Sequence, residues 1–392
     1  MPVPRVLVVA PQPFYQDRGT PIAVHQLLLA LTQLSYEVDL LTFSLGRTVP
    51  IPGVRYFRVP NLFRVRSVPI GFSLNKLLLD AVLVPALFAR LKRGAYRCIH
   101  ALEEAAFPAV LFGRRFRVPV IYDMQSSLPE QLAGQHAAFR GRRVQAALSR
   151  SERWLLRNAS SVVSSAGLAA RVRAVAPETK LHEWRYGSTL AEAAPEEVER
   201  LRGELAIHPG RPVVLYSGTF EGYQGLPELL AAIPRVREAV PEACFVLVGA
   251  EESGATTVQR GHAELVRNGA LRVVRRQPRE RIPCFLALAD VLVSPRAYGD
   301  NLPLKIFDYL AAGRPIVATD IPAHRAVLDE ESAVLTGIAA EELASGIVRL
   351  LTDRPLAARL AAAARASAQE RFGWQAFVRS VSELYQEVDG GR

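Results

Sequence analysis

Short, mostly apolar runs alternate with helical segments along the chain. Val6–Ala10 is ended by Pro11 at strand length, and similar runs recur at Val38–Phe43, Val118–Tyr122 and Val213–Ser217. Continuous runs of this kind are typical of strands that are buried on both faces of a parallel sheet. The pattern therefore predicts an α/β fold built from doubly wound parallel sheets.

A polar segment at residues 188–212 interrupts the pattern before it restarts. This segment contains Pro195, Pro209 and Pro212 and has a helical middle. The length of 392 residues suits two cores of ordinary size. We therefore predict a first domain over residues 1–187 and a second domain over residues 188–374.

The three cysteines, Cys98, Cys244 and Cys284, are far apart and odd in number. They form neither a disulfide framework nor a zinc-binding spacing, which predicts a reducing, cytoplasmic compartment. The first residues enter a strand without a secretory signal pattern. The longest apolar stretch, Leu77–Leu91, contains Asp80 and is shorter than the roughly 20 residues of a spanning helix, so no spanning segment is predicted.

Charge is divided unevenly along the chain. Residues 1–190 carry 25 Lys and Arg against 11 Asp and Glu, a balance of +14, whereas residues 191–392 carry 23 against 27, a balance of −4. The basic half predicts an anionic partner. Its basic residues concentrate in three clusters, which are Arg90–Arg93 with Arg97, Arg114–Arg117 and Arg140–Arg143.

Apolar residues accompany these clusters, among them Phe88, Phe112 and Phe139. This mixture favours peripheral contact with an anionic membrane surface. Nucleic acid is not predicted, because the clusters lie on separate elements and no nucleic-acid-binding motif is present. A solvated, arginine-rich face stays open as the alternative.

The turn after the first strand contains Gly19 and Thr20 but no G-x-G-x-x-G series, which counts against a nicotinamide or flavin enzyme. One glycine at a helix start can still offer backbone N–H groups to a phosphate, and a plain strand–helix turn is an equal alternative. No D-x-D triplet occurs, and no His, Asp or Glu set has metal-ligand spacing. We therefore predict neither a metal nor another cofactor.

The segment Ser294–Pro315 follows an apolar strand, at the end of the sheet where open α/β folds bind ligands. A helix is predicted to start near Asn301 and Pro303 and to stop at Gly313. Its first N–H groups, near residues 303–305, and the positive end of its dipole suit an anion.

Three side chains of this segment have matching chemistry. Lys305 and Asp308 share one helix face at a spacing of three. The cation suits a diphosphate, the carboxylate suits the hydroxyls of a ribose, and Arg296 can add a bidentate phosphate contact. A surface Lys–Asp pair on an ordinary helix is the alternative for the same residues.

The same segment resembles the signature of family-4 retaining glycosyltransferases of the GT-B fold. Asp300 and Asp308 match the spacing of the two acidic residues of that family, and Pro303–Pro315 matches the tail of the motif. The resemblance implies two Rossmann-like domains that face each other across a cleft. It also implies transfer of a sugar from a nucleotide diphosphate sugar with retention of configuration. In that family the residue at the position of Asp308 binds the ribose of the donor, and the residue at the position of Asp300 contacts the sugar.

The resemblance continues outside this motif. The loop Leu215–Gly225 is similar to the loop that opens the donor domain in the family, but Thr219 and Gln224 stand where many members have Arg and Lys. More of the diphosphate charge would therefore fall to Arg296 and Lys305, which with Asp300 and His100 are the expected catalytic residues. The expected donor-binding residues are Gly19, Thr20, Gly218, Thr219, Gln224, Gln277, Asn301, Leu302, Pro303, Leu304 and Asp308.

Two loops of the first domain resemble the acceptor-side loops of the family, and they contribute Glu103, Glu104, Asp123 and Gln125. The segment from Phe372 to Tyr385 is similar to the terminal helix that crosses back to the first domain, which assigns residues 375–392 to that domain. The predicted function is a glycosyltransferase, monomeric or homodimeric, with an acceptor that is lipid-linked or close to a membrane. A catalytically inactive sugar-nucleotide-binding subunit and a nucleotide-sugar epimerase of the same fold remain alternatives.

Overall fold

The computed structural model describes residues 3–16, 19–69, 71, 73–135, 137–184, 186–299 and 302–390. The chain forms two compact units. The first contains Met1–Arg185 together with Gln375–Arg392, and the second contains Tyr186–Trp374. Within the described residues, no helix combines the length and the apolar character needed to cross a bilayer.

The first unit is built on a parallel sheet with the strand order β3-β2-β1-β4-β5-β6-β7. Its strands are β1 (Arg5–Ala10), β2 (Glu37–Thr42), β3 (Val54–Arg58), β4 (Cys98–Leu102), β5 (Val120–Met124), β6 (Ser161–Ser164) and β7 (Leu181–Glu183). The helices between them are α1 (Gly19–Gln33), α2 (Leu74–Arg93), α3 (Ala106–Phe116), α4 (Leu128–Gln135), α5 (Arg142–Asn158) and α6 (Ala166–Val175). The strand order reverses between β1 and β4, so the loops after these strands flank the switch point of this sheet.

The second unit repeats this design with the strand order β10-β9-β8-β11-β12-β13. Its strands are β8 (Val213–Ser217), β9 (Cys244–Ala250), β10 (Leu271–Arg275), β11 (Val291–Ser294), β12 (Ile316–Thr319) and β13 (Val334–Thr336). Its helices are α7 (Pro195–Glu204), α8 (Leu226–Ala239), α9 (Glu252–Gly261), α10 (Ala263–Arg267), α11 (Ile282–Leu288), α12 (Lys305–Ala312), α13 (Pro322–Arg325), α14 (Ala340–Thr352) and α15 (Arg354–Glu370). The order reverses between β8 and β11.

The last helix, α16 (Trp374–Gly390), returns to the first unit. Its Phe377 ring lies 5.3 Å from the ring of Trp184, and its Tyr385 ring lies 5.4 Å from that of Tyr36. These contacts confirm the predicted return of the terminal helix, and the two parallel sheets confirm the predicted fold class.

The sequence pattern missed three of the four strands at the sheet edges. β3, β7 and β13 are only partly buried and include polar or charged residues such as Arg55, His182 and Thr336. An edge strand pairs on one side only and lacks the continuous apolar run on which the prediction depended.

Candidate functional site

The loops after β8 and β11 meet at the switch point of the second sheet. Gly225 has a φ of +69°, and a Cβ atom there would lie 1.8 Å from the carbonyl oxygen of Pro295, so the close approach requires glycine. The Ala297 amide donates to the Tyr223 carbonyl over 2.9 Å and holds the two loops together. Gln224 and Arg296 are thereby brought to the same end of the sheet.

Helix α12 starts at the same end, at Lys305, with Leu304 as its N-cap residue. The Ile306 amide donates to the Pro303 carbonyl and the Phe307 amide to that of Leu304, over 3.0 and 3.1 Å. The helix therefore starts at the later end of the range predicted from the sequence, which ran from residue 301 to residue 305. Leu302 is buried just before it, whereas the predicted Asp300 and Asn301 lie outside the described residues.

Lys305 has neutral partners. Its Nζ atom donates to Oε1 of Gln224 over 3.1 Å and lies 4.1 Å from the centre of the Tyr216 ring. Burial, followed by the nearby charge of Arg296, lowers the pKa of Lys305 well below its usual value. The charge of Arg296 thus acts on Lys305, and a bound anion would offset both positive charges.

Arg296 is buried at 6% exposure. Its Nε atom donates to the Tyr298 carbonyl over 2.9 Å, and its guanidinium lies 5.2 Å from the centre of the Tyr223 ring. These contacts hold the side chain beside the loop 222–225, which also carries Gln224. The structure therefore brings together Arg296, Lys305 and Gln224, all of which were predicted as site residues.

Asp308, one turn into α12, is 7% exposed. It accepts a 2.7 Å hydrogen bond from Oγ of Ser188, and its two oxygens lie 3.4 Å from Nη1 and Nη2 of Arg279. Burial raises the pKa of Asp308, while Arg279 and then Ser188 oppose the shift. The contacts with Arg279 are longer than ordinary charged hydrogen bonds.

A buried histidine supports the loop that carries Arg296. His324, on α13, has no exposed surface; its Nδ1 donates to the Thr319 carbonyl over 2.7 Å, which leaves Nε2 to accept from Ser294 over 3.0 Å. The Thr319 hydroxyl in turn donates to the Arg296 carbonyl over 2.6 Å. Burial lowers the pKa of His324 to about 4, with further lowering by Lys305 and Arg296, so the ring is neutral near pH 7.

The other residues predicted to bind the donor do not contact Lys305, Arg296 or Asp308 through any hydrogen bond described for them. The Gly218 amide donates to the Val248 carbonyl within the sheet, and the Thr219 carbonyl accepts from the Tyr216 hydroxyl over 2.6 Å. Gln277 follows the edge strand β10 and bonds to the carbonyl of Arg275 and to Arg281. Gly19 and Thr20 belong to the first unit, in the first turn of α1.

In the first unit, Glu103 and Glu104 follow β4 and surround a lysine of α2. Lys76 Nζ lies 3.3 Å from Oε2 of Glu103 and 2.7 Å from Oε1 of Glu104. Burial alone would lower the pKa of Lys76, but the two carboxylates outweigh it and raise the pKa. Burial and Glu104 raise the pKa of the neighbouring Asp80 to about 8.

His100 lies inside β4 with no exposed surface. Its Nε2 is 3.3 Å from Oδ2 of Asp123, and its Nδ1 is 2.9 Å from the Tyr385 hydroxyl. Gln125 donates to the other oxygen of Asp123 over 2.6 Å. In this structure His100 therefore contacts Asp123 and Tyr385, and its expected catalytic role stays a prediction.

Sequence reasoning missed three residues of the site in the second unit. Ser188 lies in the polar segment interpreted as the domain boundary, Arg279 follows a proline after β10, and His324 lies on a short helix. A cation two residues after Gln277 was the available signal for Arg279, whereas nothing in the sequence separates Ser188 or His324 from ordinary polar residues. Among the described residues, no group of three or more His, Cys, Asp or Glu can hold a metal ion, and metal independence stays a prediction.

Comparison with known protein families identifies both units. The family model for a glycosyl transferase 4-like domain matches residues 18–187, and the model for glycosyl transferases group 1 matches residues 211–353. Both units are glycosyltransferase domains.

Curated relatives of these glycosyltransferase domains are distant. Glycogen synthase of Mycobacterium tuberculosis is 27% identical over 312 residues, which cover 75% of this chain and 69% of the relative. Phosphatidyl-myo-inositol mannosyltransferase of Mycolicibacterium smegmatis is 27% identical over 184 residues, 46% of each chain. Among solved structures, sucrose-phosphate synthase from Thermosynechococcus elongatus has a TM-score of 0.78 at 21% identity, covering 99% of this chain and 100% of the other. This likeness shows that the chain has the GT-B fold.

Proposed function

We propose that this chain transfers a glycosyl residue from a nucleoside diphosphate sugar to an acceptor, with retention of configuration and without a metal. The second unit binds the donor. The observation that carries the proposal is Lys305, a cation at a helix start with a lowered pKa, neutral partners and Arg296 nearby.

The diphosphate supplies the missing negative charge. A phosphate oxygen near Lys305 restores the pKa of the ammonium and screens it from Arg296. The start of α12 adds the positive end of its dipole at the same place. Because charge grows on the leaving diphosphate in the transition state, these groups stabilise that state more than the bound donor.

Asp308 receives the ribose in this proposal. The hydroxyls of a ribose donate to a carboxylate at shorter distances than the 3.4 Å contacts from Arg279. Ser188 and Arg279 keep the carboxylate oriented in the absence of donor, and burial makes the carboxylate a poor ligand for solvent cations. Asp300, which lies outside the described residues, keeps its expected role at the sugar.

The comparisons support this type of donor. A GT-B neighbour, HepE from Anabaena, was crystallised with UDP-glucose; it has a TM-score of 0.75 at 18% identity and covers 98% of this chain and 99% of its own. One relative is a phosphatidyl-myo-inositol mannosyltransferase, whose name includes a lipid. A lipid-linked or membrane-proximal acceptor is therefore part of the proposal, and Glu103, Glu104, Asp123 and Gln125 are its acceptor-side residues.

A donor panel tests the proposal. UDP-, GDP- and ADP-sugars are incubated with the chain while thermal unfolding and nucleotide release are measured, because a bound ligand stabilises the folded state. Stabilisation by one donor class with release of its nucleotide is expected, and Lys305→Met should lose the release. Stabilisation without release would indicate a binding subunit, and an altered sugar still attached to its nucleotide would indicate an epimerase.

A further inference from the structure

One side of α2 is apolar and faces solvent. Leu74, Leu77 and Phe88 are 70%, 48% and 41% exposed, and the exposed residues between them are Ala81 and Pro85. Spacings of three and four residues place these five side chains in one line along the helix. The line runs for about 21 Å at the helical rise per residue. We call this line the outer face of α2.

The fold does not need the outer face. The core of the first unit is contacted by Leu79, Leu83, Leu87 and Leu91, which are buried on another side of α2. The helix therefore has apolar residues both where it packs and where it meets solvent. A continuous exposed apolar surface of this length on a stable domain is typical of an interaction site.

Helix α3 extends the apolar surface. The Phe88 ring lies 5.3 Å from the ring of Phe112 and 5.4 Å from that of Phe116, and Leu111 is 55% exposed on the same helix. The two neighbouring helices thus share one surface, with an aromatic cluster where they meet.

The border of this surface is basic. Lys92 and Arg93 are exposed at the end of α2, and Arg114 and Arg115 are exposed on α3. Residues 60–117 contain ten Lys and Arg but three Asp and Glu. Those three acids are Asp80, Glu103 and Glu104, which surround Lys76.

The positive charge of this border indicates which kind of partner can bind the apolar surface. A second copy of the chain would bring one basic border against another, which like-charge repulsion disfavours. An anionic bilayer offers acyl chains for the outer face and negative headgroups for its border. We propose that α2 lies in the plane of an anionic membrane, with Leu74, Leu77 and Phe88 inserted below the headgroups.

The proposal differs from docking by charge alone. A purely electrostatic contact would also involve the cluster Arg140–Arg143 on another element, and it would not bury α2. Membrane insertion requires neither a donor nor transfer, so vesicle binding can succeed or fail independently of the proposed function.

A label on α2 tests insertion directly. The native Cys98, Cys244 and Cys284 are buried, so Leu77→Cys can be labelled selectively with an environment-sensitive fluorophore. Ile338→Cys, at a 37% exposed apolar residue of the second unit, is the matched control. With phosphatidylglycerol vesicles, we expect a blue shift and quenching by brominated acyl chains at position 77 and neither change at position 338.

Co-sedimentation of the full chain measures the contribution to binding. Leu74→Gln with Leu77→Gln should weaken binding to phosphatidylglycerol vesicles at least tenfold, Ile338→Gln should leave it unchanged, and Lys92→Gln with Arg93→Gln should reduce its salt dependence. Thermal unfolding checks that each variant is folded. Equal binding by the glutamine variants, or a label at position 77 that stays exposed on vesicles, would overturn the proposal. A label that is already buried in a dimer without lipid would overturn it in favour of a second copy.

Discussion

Lys76 in the first unit and Lys305 in the second unit have pKa values that are shifted in opposite directions. Lys76 lies between Glu103 and Glu104, which raise its pKa against the effect of burial. Lys305 has the amide of Gln224 and the ring of Tyr216 as partners, and burial and Arg296 lower its pKa. The charge of Lys76 is thus balanced within the protein, whereas that of Lys305 is balanced when an anion binds.

The difference separates a supporting cation from a binding cation. Removing Lys76 leaves two carboxylates without their partner and should cost stability. Removing Lys305 leaves neutral groups behind and relieves its repulsion with Arg296, so it should cost binding and catalysis instead. Five experiments test this comparison and the site around Lys305.

Lys305→Met should have the largest effect. We expect kcat to fall about 10²–10³-fold, or about 3 to 4 kcal/mol, because the charge that Lys305 meets grows in the transition state. KM should rise less than kcat falls. Steady-state kinetics with the donor identified in the panel measure both constants.

Lys76→Met is the matched control for that variant. It should lower the free energy of unfolding and leave the affinity for the nucleoside diphosphate unchanged. Loss of nucleotide affinity in Lys76→Met, or full activity in Lys305→Met, would reverse the roles assigned to the two lysines.

Asp308→Ala should weaken donor binding by about 2 to 4 kcal/mol, since a charged acceptor for ribose hydroxyls is lost. Calorimetric titration with the nucleoside diphosphate measures the change. Ser188→Ala removes a partner of the same carboxylate without removing the acceptor, and its effect should be smaller. Equal affinities for wild type and Asp308→Ala would place the ribose elsewhere.

His324 should make stability depend on pH. Its folded-state pKa of about 4 lies below the ordinary value of 6.5, so its contribution is present above pH 6.5 and is lost as the pH falls toward 4. Between pH 7 and 4.5, wild type should lose about 2 kcal/mol more stability than His324→Asn, which cannot titrate at this position. Urea unfolding at both pH values measures the difference, and parallel losses would contradict the assignment.

Chelation should have the smallest effect. If Lys305, Arg296 and the start of α12 neutralise the diphosphate, transfer should continue unchanged in EDTA. Activity that is lost in EDTA and restored by Mg²⁺ or Mn²⁺ would show that these cations do not suffice.

Particular residues show how much of the site could be predicted from the sequence. The segment Ser294–Pro315 identified Arg296, Lys305 and Asp308 because local motifs fix which residues share a helix face and which follow a strand. Ser188 and Arg279 meet Asp308 from 120 and 29 positions away. No local pattern encodes such contacts, so they could not be predicted.

The sequence by itself determined the repeated α/β pattern and the positions of the strands buried on both sides, since apolar periodicity follows directly from burial. It also determined the uneven charge of the two halves. The tertiary structure decided how each polar group is used: it buried His100 and His324, balanced Lys76, left Lys305 with neutral partners and turned one side of α2 toward solvent. These outcomes depend on which distant residues come within a few ångströms, because a side chain's charge and exposure are properties of its neighbours in space.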